Sequence, residues 1–414
     1  MLSNRKKIAV SASLMMATAG IVASAQTAAP ATTSSPASAR QKAAVTVSIV
    51  PGVIGPGGGL QSSKKAKWAV IGKYGTGKVG KKVLLQKQSG SKWVTADKSV
   101  VDKKGTVIFA VPSPGSTPVT YRVDGPGSAS APVSTDSWGT EADFVDEFGG
   151  SKLNLADWSH RQSFYEPASK RECSKGDPKA VKVSGGAAKL SVLVDKKRSA
   201  LCKPKKPGKD VIFGKFKYRL NANIGTQSKH TITYGVVSAR IKFQPLQGQH
   251  ASLWMQPQVV TGGKDAATAG SEIDIIEWFG KDVPNGGLTS FIYAPSYQGK
   301  KIPLGGGGGW IKNPDQYLED EKDDWYKRYH VFSVEWSPSG YIFRIDGQET
   351  GRINKGVSGV PEYPILSVLS SDYELAKLPG KDEKKNLPQT MQVDWIRTWQ
   401  DPAHYTPPTA TPAP

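Results

Sequence analysis

Between Ser271 and Trp278 the chain reads Ser-Glu-Ile-Asp-Ile-Ile-Glu-Trp, an apolar segment of β type threaded by three carboxylates. Side chains on a strand alternate between faces, so Glu272 and Asp274 project together while Ile273 and Ile275 project to the opposite side. Glu277 breaks that parity. It would face the apolar side of a regular strand, and one β-bulge near Ile275-Ile276 returns it to the carboxylate face. The pattern therefore predicts a bulged strand. Upstream, from 44 to about 127, short runs such as Val83-Leu84-Leu85, Lys92-Trp93-Val94-Thr95 and Thr106-Val107-Ile108-Phe109 recur between Gly, Pro and Asp turns. Such spacing predicts a compact β-sandwich.

Carboxyl groups beside an apolar strand suit glycoside hydrolysis, in which two of them flank the scissile bond, roughly 5 to 5.5 Å apart in a retaining enzyme. With one bulge absorbed, Glu272 and Glu277 stand four strand positions apart, about 13 Å at about 3.3 Å per residue. Strand curvature and side-chain lean must then bring them together. Asp274 between them can share a proton or a hydrogen bond with a neighbouring Glu, and like-charge repulsion pushes the three titrations apart. Acids make up 35 of 414 residues, so three at these offsets arise by chance roughly 0.25 times in such a chain. A solvated face of an amphipathic strand would carry the same triplet. The surroundings have to decide.

Those surroundings resemble glycoside hydrolase family 16. Glu272-Ile-Asp-Ile-Ile-Glu277 is similar to its catalytic signature in the bulged, laminarinase-like form, and the chain from about 138 to 401 agrees in order. Phe144-Val145-Asp146-Glu147-Phe148 with Trp158 resembles the opening strand, and Tyr234 to Phe243 resembles the strand running up to the cleft. Trp254 precedes the motif. Tyr329 to Trp336, Phe343 to Gly347 and Val393 to Arg397 resemble the later strands. The resemblance implies an all-β jelly-roll sandwich with an open cleft, cleaving inside β-linked glucans or galactans. It makes Glu272 the nucleophile, Asp274 its electrostatic helper and Glu277 the general acid/base, with retention through a glycosyl-enzyme. No cofactor is required on this reading. A structural calcium is implied near the terminal strands, with Asp394 and the region of Glu147 as loose matches.

Two departures bear on substrate. His250 stands where laminarinase-like members usually carry a stacking Trp, and Ser290-Phe291-Ile292-Tyr293 occupies the stretch where many relatives have a His. Candidate substrate-binding residues are His250, Trp254, Trp278, Tyr293 and Trp310, with Trp325 a further aromatic; each would serve equally as packing. The Gly305 to Gly309 run before Trp310 reads as a loop flanking the cleft or as a flexible insertion. No Gly-Lys-Ser/Thr or helix start follows the glycines, which argues against phosphate binding.

Residues 1–25, with Arg5-Lys6-Lys7, an apolar stretch and Ala23-Ser24-Ala25, read as a secretory signal. The protein is therefore expected to be secreted and extracellular. Residues 26–43 read as a disordered linker, 44–127 as the small sandwich, loosely similar to immunoglobulin-like modules, 128–137 as a second linker, 138–401 as the catalytic domain and 402–414 as a Pro/Thr-rich tail. The two cysteines, Cys173 and Cys202, are expected to pair. Residues 44–127 hold 13 Lys/Arg against 3 Asp and no Glu, half of the chain's net +20. That module could hold the protein on cell wall or an anionic glycan, or simply solubilise it. No nucleic-acid motif appears, and a monomer is expected. The leading function is an endo-acting retaining glycosidase on β-1,3- or mixed-linked glucan. A β-galactan hydrolase or transglycosylase is the alternative, and a non-catalytic sugar-binding protein is the reading from another class.

Overall fold

The computed structural model of the chain describes residues 45–167, 170–205, 212, 214–296, 299–304, 309–377 and 386–404. The expected leader and first linker, Gly305 to Gly308 of the glycine run, and Tyr405 to Pro414 of the tail lie outside these residues.

Six strands form the first part: β1 (Thr46–Ile54), β2 (Lys67–Lys73), β3 (Lys82–Ser89), β4 (Lys92–Val100), β5 (Thr106–Val111) and β6 (Thr120–Asp124). They make a three-stranded sheet, β1-β2-β5, facing a sheet of β4-β3-β6 to which Val133–Ser134 adds a short fourth strand. Trp68 and Val70 of β2 enter the core between these sheets with Val83, Leu85, Phe109 and Tyr121. The alternate residues Ala69 and Ile71 pack with Val50 and Val53 against Val236 and Trp399 of the larger domain. Because β2 is covered on both faces, its sequence Trp-Ala-Val-Ile is apolar without alternation. Gly52, at φ +56°, passes over the Trp399 ring, where a Cβ would come within 2.3 Å of it.

The larger domain is an antiparallel sandwich. Its main strands are β7 (Ala188–Val194), β8 (Arg219–Gly225), β9 (Gly235–Lys242), β10 (His250–Pro257), β11 (Glu272–Trp278), β12 (Leu288–Ala294), β13 (Lys300–Pro303), β14 (His330–Ser337), β15 (Gly340–Ile345), β16 (Gln348–Ile353), β17 (Glu362–Leu369) and β18 (Gln389–Gln400). The front sheet runs β13-β12-β11-β10-β17-β8 and the back sheet β7-β18-β9-β14-β15-β16, the two being continuous where β7 pairs with β8. The chain crosses between layers at each step from β7 to β10 and again from β16 to β18, while β10–β13 and β14–β16 are antiparallel meanders within one sheet. Two packed antiparallel sheets of this kind suit a jelly roll. The core lies between the sheets and includes Leu253, Ile273, Ile276, Phe332, Leu366 and Val393. The strand expected to run up to the cleft, β9, instead sits in the back sheet between β14 and β18. Its unbroken run of buried residues fits a central strand covered by the front sheet and by the N-terminal module.

Cys173 and Cys202 form a disulfide. They pack with Leu375 and the rings of Phe216 and Tyr218, and the N–H groups of Glu172 and Cys173 donate to Asp372. The bridge thereby braces the 3₁₀ segment Asp372–Lys377.

Candidate active site

The bulge lies where the sequence pattern requires it. On one side Leu253 of β10 pairs with Ile276 and Trp254 with Asp274, leaving Ile275 unopposed. On the other, Glu272, Asp274 and Glu277 pair with Tyr293, Phe291 and Thr289 of β12. The extra residue lets Ile275 and Ile276 both enter the core, so that Glu277 regains the face of Glu272 and Asp274. Rows across the front sheet define that face. Asn223, Ser367, Ser252, Glu277 and Thr289 form one, and Ile365, Trp254, Asp274 and Phe291 the next.

Each carboxylate has different surroundings. Gln256 Nε2 donates to Glu272 Oε2 at 3.0 Å, while Glu277 is approached by the hydroxyls of Ser252 at 3.4 Å and Thr289 at 3.2 Å. Asp274 is 3 % exposed, and its Oδ2 has no hydrogen-bond partner among the described residues. Burial, and then the charges of Glu272 and Glu277, push the Asp274 carboxyl well above the usual range. A buried carboxyl with nothing to accept from is most stable neutral. Burial also raises Glu272, the Gln256 hydrogen bond opposes it, and the Glu277 charge adds to it. Tyr293, half-buried beside the three acids, is pushed up to about 12 by burial and their charge.

The aromatic candidates separate by strand parity. Trp254 is on the carboxylate face, its indole N–H donating to Ser367 Oγ at 3.0 Å and its ring beneath the Arg161 guanidinium. Tyr293 shares that face. Trp278 does not: it is turned into the core, donating to the Gln244 carbonyl and stacking on Phe243. Trp325 is likewise buried, beside His330. His250 is 5 % exposed, with Nδ1 2.8 Å from Glu374 Oε2 and its ring stacked on Phe279. Burial alone would lower the imidazole, but Glu374 outweighs it and holds the ring above its ordinary value. Phe279 in turn meets Trp310 edge-on, and these two with Tyr373, Glu374 and Lys377 line a cavity of about 440 Å³.

Asp394 does not suit calcium. It pairs with Arg240 and accepts the Gln61 N–H, and a fixed guanidinium repels a divalent cation. Glu147 Oε1 is taken by Ser62 and Ser63. Among the described residues no group of three His, Cys, Asp or Glu side chains is arranged to hold a metal.

Several residues of the site belong to no sequence motif. Gln256 could have been found, since it shares the parity of Trp254 on the same strand. Arg161, Tyr363 and Glu374 lie 85 or more residues from β11 in sequence, outside any motif, and only the fold delivers them.

An antiparallel sandwich with three carboxylates on a bulged strand of its front sheet, bordered by Trp254 and Tyr293, defines a carbohydrate-processing class of protein. The profile of Glycosyl hydrolases family 16 matches residues 173–397, more than half the chain, and the chain belongs to that family. It is 23 % identical over 282 residues to glucan endo-1,3-beta-glucosidase A1 of Niallia circulans, covering 62 % of this chain and 37 % of that protein. To keratan-sulfate endo-1,4-beta-galactosidase of Sphingobacterium multivorum it is 27 % identical over 187 residues, 43 % of this chain and 40 % of that one. The chain thus spans about two fifths of the length of these curated relatives. A solved laminarinase of Rhodothermus marinus is 18 % identical with a TM-score of 0.47, covering 63 % of this chain and 97 % of that one.

Proposed function

We propose that the protein is a secreted, retaining endo-glycosidase acting on a β-linked polysaccharide, with β-1,3- or mixed-linked glucan as the favoured substrate. The observation that carries this reading is the bulge in β11, which places Glu272, Asp274 and Glu277 on one face of the front sheet. Glu272 attacks the anomeric carbon as the bond to the leaving sugar breaks, and Glu277 passes its proton to the leaving oxygen. A glycosyl ester on Glu272 results. Glu277, now a carboxylate, takes a proton from water as that oxygen attacks the same carbon, which frees Glu272 with configuration retained. Asp274, neutral and buried between them, adds no third negative charge where Glu272 must ionise. Trp254 and Tyr293 border the acids as surfaces for the C–H faces of sugar rings.

The glucan preference draws on the likeness to the Niallia circulans glucanase. A β-galactan is the second reading, supported by the likeness to the keratan-sulfate galactosidase.

The test is incubation of the mature protein and its Glu272→Gln variant with β-glucans, agarose, carrageenan, arabinogalactan and keratan sulfate, reading released oligosaccharides by mass. Wild type alone should release oligosaccharides, with at least about a thousandfold loss in the variant, because a nucleophile's role has no substitute in a neutral amide. Comparable release by both proteins would remove Glu272 from the mechanism. Binding without turnover by both would make the protein a sugar-binding one.

A further inference from the structure

Gln256 Nε2 donates to Glu272 Oε2 at 3.0 Å, and a primary amide can present either its N–H₂ or its carbonyl oxygen. What fixes the choice lies on the far side. Arg161 Nη2 donates to Gln256 Oε1 at 2.7 Å and to the Tyr363 hydroxyl at 3.1 Å, and that hydroxyl lies 3.3 Å from the same amide oxygen. Guanidinium has donors only. It therefore holds the amide oxygen toward itself and leaves the amide nitrogen of the buried Gln256 to face the carboxylate. The guanidinium is itself located, resting over the rings of Trp254 and Tyr363.

From this relay, and resting on the role proposed above for Glu272, we propose that Arg161 is a positioning residue: through Gln256 it aims the amide N–H at Glu272 and keeps that carboxylate oriented for attack. The charged and titratable groups around Glu272 are Asp274 and Glu277 on its own strand, Tyr293 and Lys301 across the sheet, Glu362 and Tyr363 on β17, and Arg161 with Arg171. The Arg161–Gln256 relay delivers a hydrogen bond that favours the ionised carboxyl over the neutral one, countering burial and the like charge of Glu277. Without Arg161 the amide oxygen loses its shorter donor, the Tyr363 hydroxyl at 3.3 Å holds it less firmly, and the amide can turn over. Its carbonyl would then face Glu272 and favour the protonated carboxyl, so the acidic limb of activity should move to higher pH.

The experiment compares wild type, Arg161→Met, Gln256→Leu and the double variant in the full mature chain. Two quantities are read: the pH profile of kcat/KM on the polymer hydrolysed best, and the ¹³C NMR titration of the Glu272 carboxyl, identified by its absence in Glu272→Gln. Each single variant should raise the Glu272 titration and the acidic limb by about one pH unit or more. The double variant should shift no further than Arg161→Met alone, because the direct charge of Arg161 is already lost there and its hydrogen bond acts through Gln256. A uniform fall in kcat with the limb and the titration unmoved would overturn the proposal, as would a double-variant shift equal to the sum of the two single shifts. Should Arg161→Met not fold, Arg161→Lys keeps a donor at the amide oxygen and should leave the titration near that of wild type, while a full shift in it would count against the relay. The NMR titration needs no turnover, so a wild type inactive on every polymer would count against the glycosidase reading while the relay is still decided.

Discussion

Glu362 shows how much one buried side chain can tie stability to pH. It is fully buried and accepts the Ser271 N–H at 2.9 Å, immediately before the residue proposed as nucleophile. Burial pushes its carboxyl from an ordinary 4.5 up to about 8, against the hydrogen bonds from Ser271 and Ser358. A carboxyl whose folded value lies above its unfolded one favours folding while neutral. Its contribution is therefore full below the ordinary value and is lost as pH rises through the window between the two, by up to about 1.4 kcal/mol per unit. Glu362→Gln keeps an acceptor for Ser271 and cannot ionise. The melting temperature of the variant relative to wild type should climb from pH 4.5 to pH 8 and level off above. A difference constant across that range would show that Glu362 does not titrate there.

For the strand elements, the decisive feature is the bulge of β11. Deleting Ile275 restores a regular ladder and turns Glu277 into the core among Ile276, Leu288 and Ile292, where an unpaired carboxylate has no partner. The expected result is loss of hydrolysis on every polymer together with a fall of several kcal/mol in stability, of order 3 or more. Ile275→Val leaves the count of residues unchanged and should keep activity while costing about 1 kcal/mol. Both are read by thermal melts and oligosaccharide release. If the deletion variant stayed active, the register would not be what places Glu277. The three acids were legible at this scale, because alternation and its single break are sequence properties. The placement of β9 was not, since an apolar run of β type fits a central strand of either sheet.

At the scale of the molecule, the N-terminal sandwich and the larger domain share buried surface. Val50, Val53, Ala69 and Ile71 meet Val236 and Trp399, and Arg240, 1 % exposed, donates to the carbonyls of Gly55, Gly57 and Gly59 while pairing with Asp394. Removing residues 44–137 would expose that apolar face and leave Arg240 without its three carbonyl partners. The shortened chain should melt lower by ~5 °C or more than the chain beginning at Ala44, and an unchanged melting temperature would mean that the contact contributes nothing to stability. The same shared surface accounts for Asp394. A terminal-strand acid matched loosely to calcium because the sequence could not display the guanidinium that reaches it from β9.

The sequence alone determined the strand character of the chain, the bulge, the trio Glu272, Asp274 and Glu277, and the pairing of its two cysteines, because each follows from periodicity or from counting over a few residues. Only the tertiary structure decided which aromatic rings join those acids, since Trp254 and Trp278 are alike as residues and differ by the face each presents. It alone brought Arg161 and Tyr363 to Gln256, His250 to Glu374 and Arg240 to Asp394. These pairs lie 95 or more residues apart. No local pattern encodes them, because their geometry is set by which strands of the two sheets become neighbours.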